Sequence, residues 1–144
     1  MRTLVSGFAL WLALAGLGFA PSGRAAVPAS DAEQVQSVVR AQLAAFAVDD
    51  GERAFSFAAP ELRQMFGTSA LFMRMVRASY PVVYRPASVT FLQPKPDQDV
   101  VLQPVQMTDA KGASWLAMYR VQRQADKTWR IAGCILVPNQ SRTV

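Results

Sequence analysis

The sequence predicts an α+β domain in which N-terminal helices pack on one face of a four-stranded antiparallel sheet. Apolar residues recur at helical spacing through residues 30–79, whereas after Pro86 the apolar pattern has a period of two. Two alternating segments within residues 113–137 are separated by a polar turn at residues 125–127, a pattern typical of a hairpin. Because the strands follow one another along the chain, we expect them to form a meander.

The first predicted helix begins at Ser30, because Ser30 and Glu33 match the S-x-x-E capping box. It ends at the turn formed by residues 49–51. Its apolar face is expected to contain Val35, Val38, Val39, Gln42, Leu43 and Phe46.

Shorter helical segments follow the first helix. Asp50 is placed to cap a helix over residues 52–58. Pro60 stands at the first turn of the next segment, which ends at Gly67.

A further helix is predicted from residue 69, with Thr68 or Ser69 as its cap. Pro81 closes it, because the residue before a proline disfavours the helical conformation. The apolar side of this helix is predicted to contain Leu71, Phe72, Met75, Val76 and Ser79.

The first two predicted strands cover residues 87–93 and 100–107, with residues 94–97 as a loop between them. Pro104 falls inside the second strand. Because proline has no N–H to donate to the ladder, it indicates a sheet edge or a bulge.

The hairpin supplies the third and fourth strands, and side chains alternate between its two faces. The face rich in aromatic residues should be buried, because aromatic rings carry the largest apolar area. Its predicted members are Trp115, Ala117, Tyr119, Val121, Trp129, Ile131, Gly133, Ile135 and Val137. The outer face would then carry Leu116, Met118, Ala132, Cys134 and Leu136, and so be apolar as well. An apolar outer face needs a second cover, so we expect a homodimer through this face.

Residues 1–25 have the layout of a secretory signal peptide, with Arg2 before an uncharged apolar run and small residues at the end. Cleavage is predicted after Ala25, with Ala29 as a second site, and an uncleaved membrane anchor is the alternative. No cysteine lies near the cleavage region, so a lipoprotein is excluded. The expected location is periplasmic or secreted, with one domain over residues 30–138 and a tail over residues 139–144.

Without Arg2 and Arg24, thirteen basic residues remain against ten acidic ones. The basic residues are scattered along the chain, whereas nucleic-acid binders usually cluster them, so no nucleic-acid partner is expected. Cys134 is the one cysteine, so the core must stabilise the domain without an internal disulfide. A small buried apolar side chain is the expected role of Cys134, with a reactive thiol or an intermolecular bridge as the alternative.

Four stretches of the sequence carry a family resemblance: the early capped helix, DDGERAFSFAAPELRQMFG, LFMRMVRASYPVVYRP and WRIAGCIL. With them the chain resembles domain-of-unknown-function family 4864, of the nuclear-transport-factor-2-like (cystatin-like cone) superfamily. The resemblance implies a curved sheet wrapped around a long helix, with a cavity between them. Members of the superfamily include cofactor-free isomerases, dehydratases and cyclases as well as non-catalytic binding modules, so the fold does not select the function.

The chain has no histidine. This excludes a Ser-His-Asp triad, a Cys-His pair and an imidazole metal site, and no metal or cofactor is expected. Carboxylates remain as catalytic groups. Asp49 or Asp50, if buried, would gain a raised pKa and could act as a base, with Tyr84 or another tyrosine as the hydrogen-bond donor. The alternative is that both aspartates only end one helix and cap the next.

An apolar pocket is the better supported site, with packing of the same residues into a plain core as the alternative. The residues expected to line it are Phe55, Phe72, Met75, Tyr80, Tyr84, Trp115, Tyr119 and Trp129. Arg85 could recognise a carboxylate through its planar guanidinium group, with an exposed arginine at the start of a strand as the favoured alternative. The sequence therefore predicts an exported, non-enzymatic domain that binds a small apolar molecule or a partner protein. A cofactor-free isomerase, dehydratase or cyclase is the alternative.

Overall fold

A computed structural model describes residues 25–139 of the protein. The predicted signal peptide and C-terminal tail lie almost wholly outside these residues. Helices come first and an antiparallel sheet follows, so the predicted α+β class is confirmed. The helices are α1 Ala29–Ala47, α2 Gly51–Ser56, α3 Pro60–Phe66, α4 Ser69–Ser79 and α5 Pro81–Tyr84. The strands are β1 Ser88–Phe91, β2 Lys95–Asp97, β3 Val100–Thr108, β4 Ser114–Arg123 and β5 Trp129–Pro138.

Two of the three predicted helix caps are confirmed. The Asp50 carboxylate accepts a hydrogen bond from the Arg53 N–H at 3.1 Å, and the Thr68 hydroxyl accepts from the Leu71 N–H at 3.2 Å. The capping box at Ser30 is wrong, because α1 begins one residue earlier with Pro28 as its cap residue and no side-chain cap. The fixed φ of Pro28 suits the entry into a helix without a side-chain bond.

Pro81 ends α4 as predicted, but it also opens α5, because proline is well tolerated in the first helical turn. On α4 the buried side chains are Phe72, Met73 and Val76. Leu71, predicted on the apolar side, is 47% exposed.

The sheet has five strands where four were expected. Its order is β1-β3-β4-β5, and β2 also pairs with β3, next to β1. Residues 95–97 were predicted as part of a loop but pair with residues 100–102 of β3. The prolines of this segment favoured a loop in the sequence prediction. Proline is tolerated in an edge strand, and β2 is an edge strand, so the strand forms despite Pro96.

Pro104 lies opposite the gap between β1 and β2 rather than at a sheet edge. Its carbonyl oxygen accepts from the Leu92 N–H at 3.0 Å, but it has no N–H to return a bond. The neighbouring Gln103 side chain supplies the missing donor, because its Nε2 donates to the Leu92 carbonyl oxygen at 2.7 Å. A buried glutamine thus substitutes for the backbone donor that proline lacks.

A β-bulge at Ala132 reverses the faces of β5. Val121 pairs with Ile131, but Arg120 pairs with Gly133, so Ala132 is an extra residue in β5. Beyond the bulge Cys134 and Leu136 face the core, opposite Tyr119 and Ala117. The predicted faces of this half of the strand are therefore wrong: Ile135 is 61% exposed and Val137 45% exposed on the outer face.

The helices cover the inner face of the sheet and enclose the core with it. From α1 the core includes Val35, Val39 and Phe46, and from the sheet it includes Val105 and Val121. None of the helices between residues 25 and 139 is long and apolar enough to cross a membrane.

Candidate functional site

A cavity of about 250 Å³ lies between the helices and the inner face of the sheet. Four of the five helices, α1, α3, α4 and α5, contribute to its wall, and strands β4 and β5 contribute from the sheet. The lining residues are Gln42, Phe46, Leu62, Met65, Phe66, Phe72, Met75, Val76, Tyr80, Val83, Tyr119, Ile131, Gly133 and Cys134.

The β5 bulge shapes the sheet wall of the cavity, because it turns Cys134 inward beside Tyr119. The opposite wall includes α3, none of whose residues is buried. Leu62 and Phe66 line the cavity from this helix, and so does Met65, which is 72% exposed. We infer that α3 covers the mouth of the cavity.

The cavity wall carries no charged side chain. Two titratable groups of the wall, the Cys134 thiol and the Tyr119 hydroxyl, are buried. Burial raises the pKa of the Cys134 thiol to about 12, and burial raises the pKa of the Tyr119 hydroxyl well above its ordinary value. A neutral apolar wall favours an uncharged ligand.

Three polar side chains interrupt this wall. The Tyr80 hydroxyl donates to the Cys134 carbonyl oxygen at 3.2 Å, and Gln42 Nε2 donates to the Ala54 carbonyl oxygen at 3.1 Å. The Tyr119 hydroxyl is fully covered, and no group in residues 25–139 gives it a hydrogen bond of normal geometry. The Cys134 thiol is near enough to affect its pKa, but a thiol is a weak partner.

Of the eight residues predicted to bind a ligand, the structure brings four to the cavity wall: Phe72, Met75, Tyr80 and Tyr119. The sequence reasoning missed the remaining wall residues. A signal was present for Gln42, which interrupts the apolar stripe of α1, and for Phe46, which ends it. No comparable signal marks Cys134, because its direction depends on the bulge.

The other four residues lie elsewhere. Phe55 packs against Phe72, with 5.3 Å between ring centroids, outside the cavity wall. Trp115 donates through Nε1 to Asp109 at 3.1 Å, and Trp129 lies beneath the Arg123 guanidinium group, 5.8 Å from it. Tyr84 belongs to a charged cluster on the surface.

This cluster surrounds Asp49, which follows the C-terminus of α1 with φ +56°. The carboxylate accepts from Arg77 Nη2 at 3.2 Å, from Arg85 Nη2 at 3.1 Å and from the Tyr84 hydroxyl. The Tyr84 hydrogen bond, and then the Arg77 hydrogen bond, lower the pKa of Asp49. Arg85 also lies 4.0 Å from the centre of the Tyr84 ring.

The two aspartates predicted as bases therefore lie outside the cavity. Asp49 and Tyr84 do meet, but on the surface, where the Asp49 side chain is half exposed and its pKa is lowered rather than raised. Asp50 caps α2. The carboxylate that Arg85 holds is that of Asp49 in the same chain. The arrangement fixes the end of α1 against α4 and α5.

We expect Asp49 to stabilise the fold at neutral pH and to lose this effect in acid. Its pKa is lower in the folded protein than its ordinary value of 3.8, so the contribution is complete above that value and is lost as the pH falls through the folded-state pKa. The Asp49→Asn variant keeps a residue that tolerates positive φ but cannot ionise. Its Tm should lie below that of the wild type at about pH 6, and the difference should shrink towards about pH 2. A Tm difference that stays constant with pH would assign the effect to packing alone.

Within residues 25–139, no group of three or more Cys, Asp and Glu side chains is placed to hold a metal ion. Over residues 28–144 the chain matches the model of a family described as a domain of unknown function (DUF4864). No curated protein and no solved structure matches the chain.

Proposed function

The chain belongs to the DUF4864 family, a domain of unknown function, and from this premise we propose that it is an exported, non-enzymatic domain that binds a small apolar molecule. The cavity between the helices and the sheet carries the proposal. Its wall is mainly apolar with a few fixed polar groups, which is the usual composition of small-molecule sites. The exposed helix α3 at its mouth offers a way in without opening the core.

Two finer parts of the proposal rest on the sequence. Export rests on the signal-peptide layout of residues 1–25. Membership of the cystatin-like cone superfamily rests on the family resemblance, and the position of the cavity between α1 and the inner face of the sheet supports it.

Native mass spectrometry of the protein, purified gently from the exported fraction, tests the binding function. We expect an additional mass that disappears on denaturation, because a ligand in a cavity is held without covalent bonds. A protein that carries no additional mass in the native state would count against the proposal. The intact mass also reports whether cleavage has removed residues 1–25.

A cavity-filling variant shows where such a mass is bound. Val76 is 4% exposed and lines the cavity, so Val76→Phe should occupy part of its volume and abolish the additional mass. Val48→Phe makes the same chemical change at a site that is 74% exposed and should retain it. Circular dichroism checks that both variants are folded. Retention of the mass by a folded Val76→Phe protein would place the ligand elsewhere.

We also propose that two copies associate through the outer face of the sheet. The bulge changes the residues of this face but leaves it apolar, with Leu116, Met118, Ile135 and Val137 on neighbouring strands. Of these, Ile135 is the most exposed, at 61%. A charge at this position would have to be desolvated in the dimer, which is costly.

Ile135→Glu should therefore convert the dimer to a monomer in sedimentation-velocity measurements. Val48→Glu, at a position that directly follows α1 and is 74% exposed, is the control and should leave the association unchanged. A wild-type protein that is monomeric at high concentration would contradict the proposed dimer.

A further inference from the structure

One polar side chain interrupts the apolar face of α1 where this face borders the cavity. Gln42 is 4% exposed and lines the cavity. Its Nε2 donates to the Ala54 carbonyl oxygen, and no described residue donates to its Oε1. Among residues 25–139, the side-chain polar atoms that are both fully covered and without a partner belong to Gln103, Ser114, Tyr119 and Trp129. The Gln42 oxygen has no partner but is not among these atoms, so part of its surface remains open to a ligand.

A buried amide oxygen without a hydrogen bond is unfavourable, so this atom requires a donor. Water is a poor donor here, because a buried water needs about two to four polar partners and the surrounding wall is mostly apolar. The ligand itself is the better source. A hydroxyl group on the ligand can donate to Gln42 Oε1, whereas the amide nitrogen of the same side chain is already bonded to Ala54.

The size and charge of the ligand follow from the same cavity. A cavity of about 150 Å³ accepts benzene, so 250 Å³ accepts about ten non-hydrogen atoms. No charged residue lines the wall, and an ion buried without a partner would be strongly disfavoured. The ligand is therefore uncharged.

On the basis of the binding function proposed above, we propose that the ligand is a small, uncharged, mainly apolar molecule with one hydroxyl group, which donates a hydrogen bond to Gln42 Oε1. Gln42 is then the specificity-determining residue of the site. The apolar wall gives affinity for small apolar molecules in general, and the amide oxygen selects those that carry a hydroxyl group.

Two probes of equal size test this selectivity: 4-isopropylphenol, and p-cymene, in which a methyl group replaces the hydroxyl. Their dissociation constants are measured by isothermal titration calorimetry on the exported wild-type protein and on Gln42→Met, which has a side chain of similar length without the amide. The ratio of the dissociation constant of the phenol to that of p-cymene should be about tenfold higher in the variant than in the wild type. Its affinity for p-cymene should be unchanged, which shows that its cavity is intact.

Nuclear magnetic resonance of the wild type provides a second readout that does not depend on the folding of a variant. The side-chain amide signals of Gln42 should shift further on addition of 4-isopropylphenol than on addition of p-cymene, because both rings cause ring-current shifts but only the phenol forms a hydrogen bond. Binding of both probes with the same relative affinity in both proteins would overturn the role of Gln42 and leave the binding function standing. Failure of both probes to bind the wild type would overturn this inference and count against the binding function too.

Discussion

Replacing Gln103 by glutamate is expected to destabilise the domain by about 3–5 kcal/mol at neutral pH, because the new carboxylate would be buried without a cation. Gln103 is completely buried. Its Nε2 donates to the carbonyl oxygens of Leu92 and Pro104 at 2.7 and 2.8 Å. A carboxylate would place negative charge against these two acceptors, whereas the amide satisfies them.

The loss of stability in Gln103→Glu should depend on pH. Burial raises the pKa of the carboxyl group above its unfolded value of about 4.3, so the penalty is small below that pH and grows as the pH rises towards the folded-state pKa. In acid the protonated carboxyl group has one hydrogen to donate, whereas the Gln103 amide donates two. One carbonyl oxygen therefore stays without a donor, and about 1–2 kcal/mol of destabilisation should remain.

Urea unfolding of the wild type and the variant at each pH measures this difference. Gln93→Glu is the matched control, since Gln93 is exposed and lies in the loop between β1 and β2. It should cost about 0.5 kcal/mol or less. Equal effects of the two substitutions would contradict the role of Gln103 as the replacement donor next to Pro104.

Phe46→Ala is expected to destabilise the domain by about 3–5 kcal/mol, because it removes a large apolar side chain from a closed core. Phe46 is 1% exposed, and its ring centroid lies 6.0 Å from that of Phe72. It also lines the cavity, so the substitution would enlarge an existing void rather than allow the core to close.

Urea unfolding measures this effect as well, and Met65→Ala is the control within the same cavity wall. Met65 is 72% exposed, so its truncation removes little buried area and should cost about 0.5 kcal/mol or less. A cost below about 1 kcal/mol for Phe46→Ala would mean that the helices collapse into the cavity, and the binding proposal would lose its structural basis.

Local patterns in the sequence predicted the parts of the site that lie on α4 and β4. Phe72 and Met75 reach the cavity from one face of α4, because helical spacing alone places them there. Tyr119 reaches it by strict alternation along β4. Trp115 and Trp129 were predicted by the same alternation and lie outside the cavity, since a strand face is longer than the cavity that it borders.

The sequence by itself determined that helices precede an antiparallel sheet, and it determined the caps at Asp50 and Thr68 and the buried face of β4. Each of these features depends on residues within a few positions of one another, so no contact with a distant segment is needed to form it. The tertiary structure alone decided the faces of β5 beyond Ala132. Ile131 donates to the Phe57 carbonyl oxygen and accepts from the Ala59 N–H, both at 2.8 Å, and this fixes the start of β5 against a distant segment. The extra residue at Ala132 then lets the rest of the strand pair with β4 in another register, which brings Cys134 to the cavity and leaves Ile135 outside.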